Sequence, residues 1–226
     1  KMACEVLKRC AMISYDEQSM QLKSRFIGRI ASLYYLSHKT IELIVKTLKP
    51  ESSLEDLLQV VCQSKEFDSV KVREEELREM EQLQDNCFIQ LRGDPTSVEY
   101  KINLLTQCLI SRKTPEIFSL QADLHYVQQN MGRILRALCE IMRGLSWARP
   151  TMHALLLACQ FERRRWHIDN PLLQFENVPA DVVGVLNEYP YVEDMCANDF
   201  EHIAQVARNH RACDILKRNF ERFPKL

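Results

Sequence analysis

Glycine is scarce. Only five glycines occur in 226 residues, and none belongs to a GxxxxGK[ST] pattern, the loop whose backbone N–H groups cradle nucleotide phosphates. The chain therefore lacks an ATP-binding loop of its own. Metal signatures are missing as well. There is no HExxH, and the nine cysteines, at positions 4, 10, 62, 87, 108, 139, 159, 196 and 213, form no CxxC pair. His202, His210 and Cys213 are neighbours in sequence, but the histidines are eight positions apart and no fourth ligand accompanies them. No metal site is expected. Nothing singles out a nucleophilic cysteine with a partner histidine, so no catalysis is expected of this stretch alone.

Long apolar runs are also absent. The longest, Met152 to Phe161, is far short of a bilayer span, and the first residues lack a signal-peptide pattern. An intracellular chain without membrane contact is expected, its cysteines read as buried free thiols rather than disulfides. Because it begins at Lys1 and runs straight into helix-like sequence, it reads as a piece of a longer polypeptide.

What is present is ample apolar and charged material, 46% and 27% of residues, enough for one large domain or two small ones. The formal net charge of -1 conceals segregation. Residues 51–86 hold eleven acids and four bases, and residues 169–201 hold eight acids and no base. Residues 112–168 hold nine bases against four acids, and residues 202–226 hold six against two. Such a distribution permits a polyanionic partner without demanding one, since charge runs are usually solvated faces.

Apolar residues recur with a period of 3.6 along most of the chain, which predicts an all-α body. The exception is MISYDEQSMQLK, Met12 to Lys23, whose short alternating runs flank a polar turn and predict a β-hairpin. Asp16-Glu17 resembles the start of a helicase DExH box, but Gln18-Ser19 follow and a turn is the better reading. Helices are predicted over Ser24–Ser37, Thr40–Leu48, Leu54–Cys62 and Glu74–Asn86, the third with a Ser52/Glu55 capping box. Thr96 and Glu99 suggest another box, opening a helix with Val98, Ile102, Leu105 and Leu109 on one side. After Thr114-Pro115-Glu116, a helix of about 26 residues, Leu120 to Leu145, would extend about 39 Å. Pro150–Trp166 and shorter helices near 179–188, 198–207 and 211–220 complete the chain.

The long helix carries two faces. Leu120, Leu124, Val127, Met131, Ile134, Leu138, Met142 and Leu145 form an apolar stripe, with Leu135 and Ile141 at its edges. Opposite lie His125, Gln129, Arg133, Arg136, Glu140 and Arg143, with Gly132 beside them. Arg and Gln donate to phosphates and base edges, and Arg also stacks on bases, so the row suits a single strand. Gly132 would let a backbone or base approach. On pattern alone the simpler reading is preferred, an ordinary amphipathic helix whose Arg133 and Arg136 pair with acids such as Glu140. A second basic feature, Arg163, Arg164 and Arg165 beside Trp166, suggests backbone neutralisation plus stacking. A tryptophan at the end of an apolar helix is more often a core plug, and that is the better reading of Trp166 and of Trp147.

Several segments together carry a family resemblance. GRIASLYYL (Gly28–Leu36), EFDSVKVREEE (Glu66–Glu76), KINLLTQCLISR (Lys101–Arg112), FSLQADLHYVQQNMGRILRALCEI (Phe118–Ile141), ERRRW (Glu162–Trp166) and NPLLQF (Asn170–Phe175) follow one another across nearly the whole chain. In that order it resembles the helical ratchet, or Sec-sixty-three-type, region of large two-cassette superfamily-two nucleic-acid helicases. Relatives there include the spliceosomal RNA helicase and the helicase subunit of the activating signal cointegrator complex.

The resemblance implies three parts. Residues 1–48 would be the end of a winged-helix domain with the hairpin as its wing, residues 49–175 a helical bundle around the ratchet helix, and residues 176–226 a helix-hairpin-helix module. It also implies a non-catalytic strand guide in an ATP-dependent helicase, expected to act on RNA. Gln129, Arg133, Arg136 and Arg143 are the implied strand contacts, with His125, Arg163, Arg164 and Arg165 as secondary candidates. ATP and Mg would belong to the parent's motor domains. Implied partners are single-stranded RNA or DNA, those motors, and spliceosomal or cointegrator-complex proteins, in the nucleus or cytoplasm. The alternative is an interaction scaffold from a catalytically inactive cassette. Two departures stand out. ARNHRACDIL (Ala207–Leu216) lacks the glycine of a phosphate-binding hairpin turn, and Leu173 stands where relatives tend to carry Arg.

Overall fold

The computed structural model describes residues 2–189, 191–192 and 195–223. Those residues form helices and one two-stranded antiparallel sheet, as the periodicity predicts. Two compact units divide at Glu162/Arg163. The three-part division with boundaries at 48 and 175 concerns modules rather than compact units, and it stays a proposal.

In the first unit, α1 (Met2–Arg9) leads into β1 (Ile13–Asp16) and β2 (Gln21–Ser24), with Ile13 opposite Ser24 and Asp16 opposite Gln21. The Asp16 carboxylate closes the turn by accepting from the Gln18 N–H at 3.1 Å and the Ser19 hydroxyl at 2.5 Å. The hairpin strap then crosses α2 (Phe26–Leu33) at Gly28. A Cβ at Gly28 would collide with the Met12 carbonyl, which also accepts from the Arg25 N–H at 2.9 Å.

Next come α3 (His38–Thr47) and α4 (Leu54–Cys62). The cap of α4 is Ser53 with Asp56, not Ser52 with Glu55. Ser52 is buried instead and accepts from the Lys49 N–H. In the same way, the cap of α6 (Val98–Ile110) is Ser97, one residue beyond the expected Thr96. The acidic stretch begins with a 3-10 turn, Glu74–Glu76, before α5 (Leu77–Gln84).

The spacing of Val98, Ile102, Leu105 and Leu109 predicts one buried side for α6, but every residue from Tyr100 to Ile110 is buried. Its polar side chains are matched from within. The Gln107 amide donates to the Ile89 carbonyl and accepts from the Ile89 N–H, both at 2.8 Å, as a neighbouring strand would. Lys101 is wholly buried. Its ammonium reaches the carboxylates of Glu76 and Asp123, each at 2.6 Å, and the Lys71 carbonyl at 2.8 Å. Arg73 and Ser119 add hydrogen bonds to Glu76.

This cluster joins α6 to α7 (Phe118–Gly144), a helix of 27 residues on which Asp123 lies. Pro115 precedes α7 rather than forming its first turn, and the Glu79 carboxylate receives the N–H groups of Glu116 and Ile117 there. The chain then turns at Ser146 into α8 (Ala148–Arg163).

Glycine scarcity has a visible consequence at the helix ends. Tyr35, Arg112, Ser146, Arg164 and Arg208 all take positive φ values of 51–60° just beyond a helix. At several of these the following N–H returns to a carbonyl five residues back, as from Leu36 to Ala31 and from Asn209 to Ala204. This is the Schellman closure, in which glycine is normally preferred.

The second unit contains a 3-10 turn, Pro171–Gln174, then α9 (Val183–Leu186), α10 (Ala197–Val206) and α11 (His210–Phe220). Leu172 and Leu173 are fully buried in its core with Leu186, Ile203 and Leu216. NPLLQF thus packs with the C-terminal unit. Arg208 supplies the left-handed turn between α10 and α11 that lacks a glycine.

Burial raises the Glu76 carboxyl, but hydrogen bonds from Lys101, Ser119 and Arg73 outweigh that and hold it at about 2, below the ordinary 4.5. Glu76 therefore stabilises the fold above pH 4.5, and that contribution is lost as pH falls towards 2. Lys101→Met should cost about 3–5 kcal/mol in urea unfolding, because it leaves two carboxylates of the cluster with only the half-exposed Arg73 as counter-charge. Glu76→Gln should flatten the fall in Tm over that acid range.

Candidate nucleic-acid interface

The apolar stripe of α7 is the seat of the site. Leu120, Leu124, Val127, Met131, Ile134, Leu138 and Met142 are all buried, as are Leu135 and Ile141, while Leu145 is half-buried just past the helix. With that side fixed in the core, the opposite side is presented outward. His125, Gln129, Arg136 and Arg143 are exposed, and Arg133 and Glu140 are half-buried.

The row is not uniformly free, because the end of α2 lies across it. One Arg133 nitrogen donates to the carbonyls of Tyr34 and Tyr35 at 2.9 and 2.6 Å, and the other to the Asn130 side chain at 2.7 Å. Three of its five N–H donors thus have protein partners. The Tyr34 hydroxyl donates to Glu140 at 2.7 Å. That bond, followed by burial and the Glu140 charge, raises the Tyr34 phenol above its ordinary value. Tyr34 therefore spans the outer side of α7 from Arg133 to Glu140, separating Gln129 from Arg143.

Arg136 pairs with Glu162 at 3.1 Å, both more than half exposed, and its Nε bonds the Gly132 carbonyl. An ion pair so exposed contributes about 0–1 kcal/mol and is readily exchanged. Gln129, Arg143 and His125 make no side-chain hydrogen bond or ion pair among the described residues. Arg143 lines a groove with Phe26, Arg29, Ile30 and Leu33 of α2. Both acids of α7 are engaged, Asp123 by Lys101 and Glu140 by Tyr34. The exposed side of the helix is consequently donor-rich with no unengaged carboxylate.

Residues 24–226 match the Sec63 Brl domain. The chain belongs to the Sec63 Brl domain family. It is 32% identical to the human U5 small nuclear ribonucleoprotein 200 kDa helicase over 226 residues, covering 99% of this chain and 10% of that protein. It is 35% identical to subunit 3 of the bovine activating signal cointegrator 1 complex over 202 residues, covering 87% of this chain and 9% of that protein. The Arabidopsis thaliana DExH-box ATP-dependent RNA helicase DExH14 is 33% identical over 188 residues, with 82% and 9% covered. The chain spans about a tenth of the length of these relatives.

In this Sec63 Brl domain the secondary basic feature separates into different environments. Arg163 is exposed at the end of α8, and Arg164 is half-buried in a left-handed turn. Arg165 donates through Nε to the Leu173 carbonyl at 2.8 Å, holding the NPLLQF turn. Trp166 is buried. Among the described residues no helix is long and apolar enough to cross a membrane.

The sequence offered no sign of Tyr34 and Tyr35 as the residues that overlie the row. In the sequence they stand only as part of GRIASLYYL, whose pattern predicts a helix running on to Ser37, whereas α2 ends at Leu33. Glu66 was likewise missed. Its carboxylate accepts from the Ser37 N–H and the Thr40 hydroxyl at the start of α3, while its carbonyl accepts from Tyr126 of α7.

Gly132 does not mark a tight approach. A Cβ there would meet the Phe161 ring and the Arg136 side chain at 3.5 Å, ordinary contact distances. Gly132→Ala should therefore stabilise the chain by up to about 1 kcal/mol, read as a higher Tm. A lower Tm would show that the α7–α8 packing has no room for a methyl group.

Proposed function

We propose that this chain guides a single strand of nucleic acid, RNA foremost, through the ATP-dependent helicase of which it forms part. The observation that carries the reading is the donor-rich outer side of α7, whose only two acids are both engaged by other protein groups. Guanidinium and amide donors bind phosphate oxygens and base edges, and a strand bound mainly through its backbone is held with little regard to sequence. Gln129, Arg136 and Arg143 are the direct contacts in this reading, with His125 beside them. Arg136 leaves Glu162 for a phosphate, and Arg133 offers its two remaining donors while holding the end of α2.

Relatives named as helicases and as ATP-dependent RNA helicases support the wider role. Adjoining motor domains would bind ATP and Mg and drive the strand, while α7 supplies the static grip between successive motor movements. The chain itself performs no catalysis in this scheme. Its working partners are the strand, those motors and the proteins of a spliceosomal or cointegrator assembly inside the cell, nuclear or cytoplasmic. The winged-helix end at residues 1–48, the bundle at 49–175 and the helix-hairpin-helix module at 176–226 complete the proposed layout.

Gln129→Glu with Arg143→Glu tests the grip, because neither residue has a protein partner to lose. In the parent polypeptide the pair should weaken single-strand binding by about 10-fold or more and slow unwinding, with basal ATP hydrolysis changed less. Arg136→Glu should add to the loss. Unwinding and strand affinity equal to the unaltered protein would remove α7 from the strand path.

A further inference from the structure

The end of α2 does more than cover part of the row. Tyr35 takes a left-handed backbone, φ 53°, immediately after the helix. Other helices in this chain end the same way, but with Ala, Arg or Ser in the left-handed position. What distinguishes Tyr35 is its exposure, 86% for the residue, the highest of the large apolar and aromatic residues among the described ones. A tyrosine normally covers part of its ring with neighbouring atoms. Here the backbone is held from beneath by Arg133, whose nitrogen is 2.6 Å from the Tyr35 carbonyl, while the Leu36 N–H closes on Ala31 at 2.8 Å. Those two bonds hold the peptide group after Tyr35, and the same Arg133 nitrogen holds the one before it through the Tyr34 carbonyl at 2.9 Å, so the side chain is left projecting.

The position of that ring gives it a use. The Tyr35 carbonyl bonds Arg133, one helical turn from the exposed Gln129 and close to the exposed Arg136. An aromatic face beside the unpartnered Gln129 amide and the exposed, exchangeable Arg136 guanidinium is a combination that suits single strands, the ring stacking on a base while the donors take its phosphates.

We propose that Tyr35 is a base-stacking platform for the single strand, and that Arg133 is a positioning residue that fixes it. The inference rests on the strand-guiding reading of α7 and adds a second element to it. The strand is held between Tyr35 and the Gln129 end of the row, and Tyr34, bonded at both its carbonyl and its hydroxyl, forms the wall on the other side. Stacking is indifferent to base identity, which suits a protein that moves along its substrate.

The test uses the parent polypeptide and a single-stranded RNA oligomer carrying 2-aminopurine, whose fluorescence falls when the base stacks. Binding should quench the probe at one position of the oligomer, and Tyr35→Ala should abolish that quench and weaken affinity about 10-fold. Tyr35→Phe and Tyr35→Trp should preserve both. Arg133→Gln should reduce the quench while leaving Tyr35→Trp bindable, the result expected of positioning. A photoreactive residue in place of Gln129 reports separately on the row. Cross-linking there, with no quench sensitive to Tyr35, would overturn the platform alone; no cross-linking at Gln129 would overturn the strand path on which it depends. Lost affinity in Tyr35→Ala with an unchanged quench would assign Tyr35 to contact with a motor domain and overturn the proposal too.

Discussion

A single ammonium group sets the geometry on which the rest of the first unit depends. Lys101 lies inside α6 with no exposure, and the carboxylates of Glu76 and Asp123 converge on it from the turn before α5 and from α7. An ionic cluster of this kind is not required for stability as such, since a well-packed apolar replacement of all its members can be as stable. Its contribution is directional. Hydrophobic burial alone tolerates sliding of one helix on another, whereas a charged hydrogen bond of 2.6 Å from a fully enclosed nitrogen does not. Asp123 lies two residues before His125, where the exposed row begins, so the same cluster that joins α6 to α7 also fixes which side of α7 faces outward. Glu66 acts in the same manner further along, holding the start of α3 and receiving Tyr126 of α7.

The economy in glycine shapes the helix ends. Left-handed closures fall to alanine, tyrosine, arginine and serine, so each of these turns carries a side chain that a glycine would have lacked. Two of these side chains, Tyr35 and Arg208, stand at turns where the chain reverses between packed helices. The conformational cost is modest beside the tertiary bonds that hold them, such as the Arg133 contact to Tyr35. Gly28 is kept where no side chain fits, beneath the Met12 carbonyl.

Legibility followed periodicity. The α7 stripe was readable because nine buried positions repeat over many turns, and the hairpin was readable from its alternation around Asp16. Caps were misplaced by one residue where two hydroxyl residues adjoin, Ser52-Ser53 and Thr96-Ser97, since either can accept the same N–H groups in principle. The burial of α6 was hidden by its own composition. Lys101, Asn103 and Gln107 resemble a solvated face, and their partners at Glu76, Gln59 and Ile89 are distant in sequence. The row on α7 was visible as a pattern, but its division was not, because Arg133 and Glu140 meet Tyr34 about a hundred residues earlier. Pairwise contacts between remote segments leave no local mark.

The ion pair between Arg136 and Glu162 bears on how salt would act on strand affinity. Binding of phosphate by a bare guanidinium liberates mobile ions from the nucleic acid, and the steepness of the salt dependence counts such neutralisations. In the proposed strand contact Arg136 would arrive already matched by a tethered carboxylate, to be displaced and left to the solvent ions. Added electrolyte weakens the internal pair as well as the external one. The apparent number of phosphates counted from a salt titration should consequently fall short of the number of arginines touching the strand.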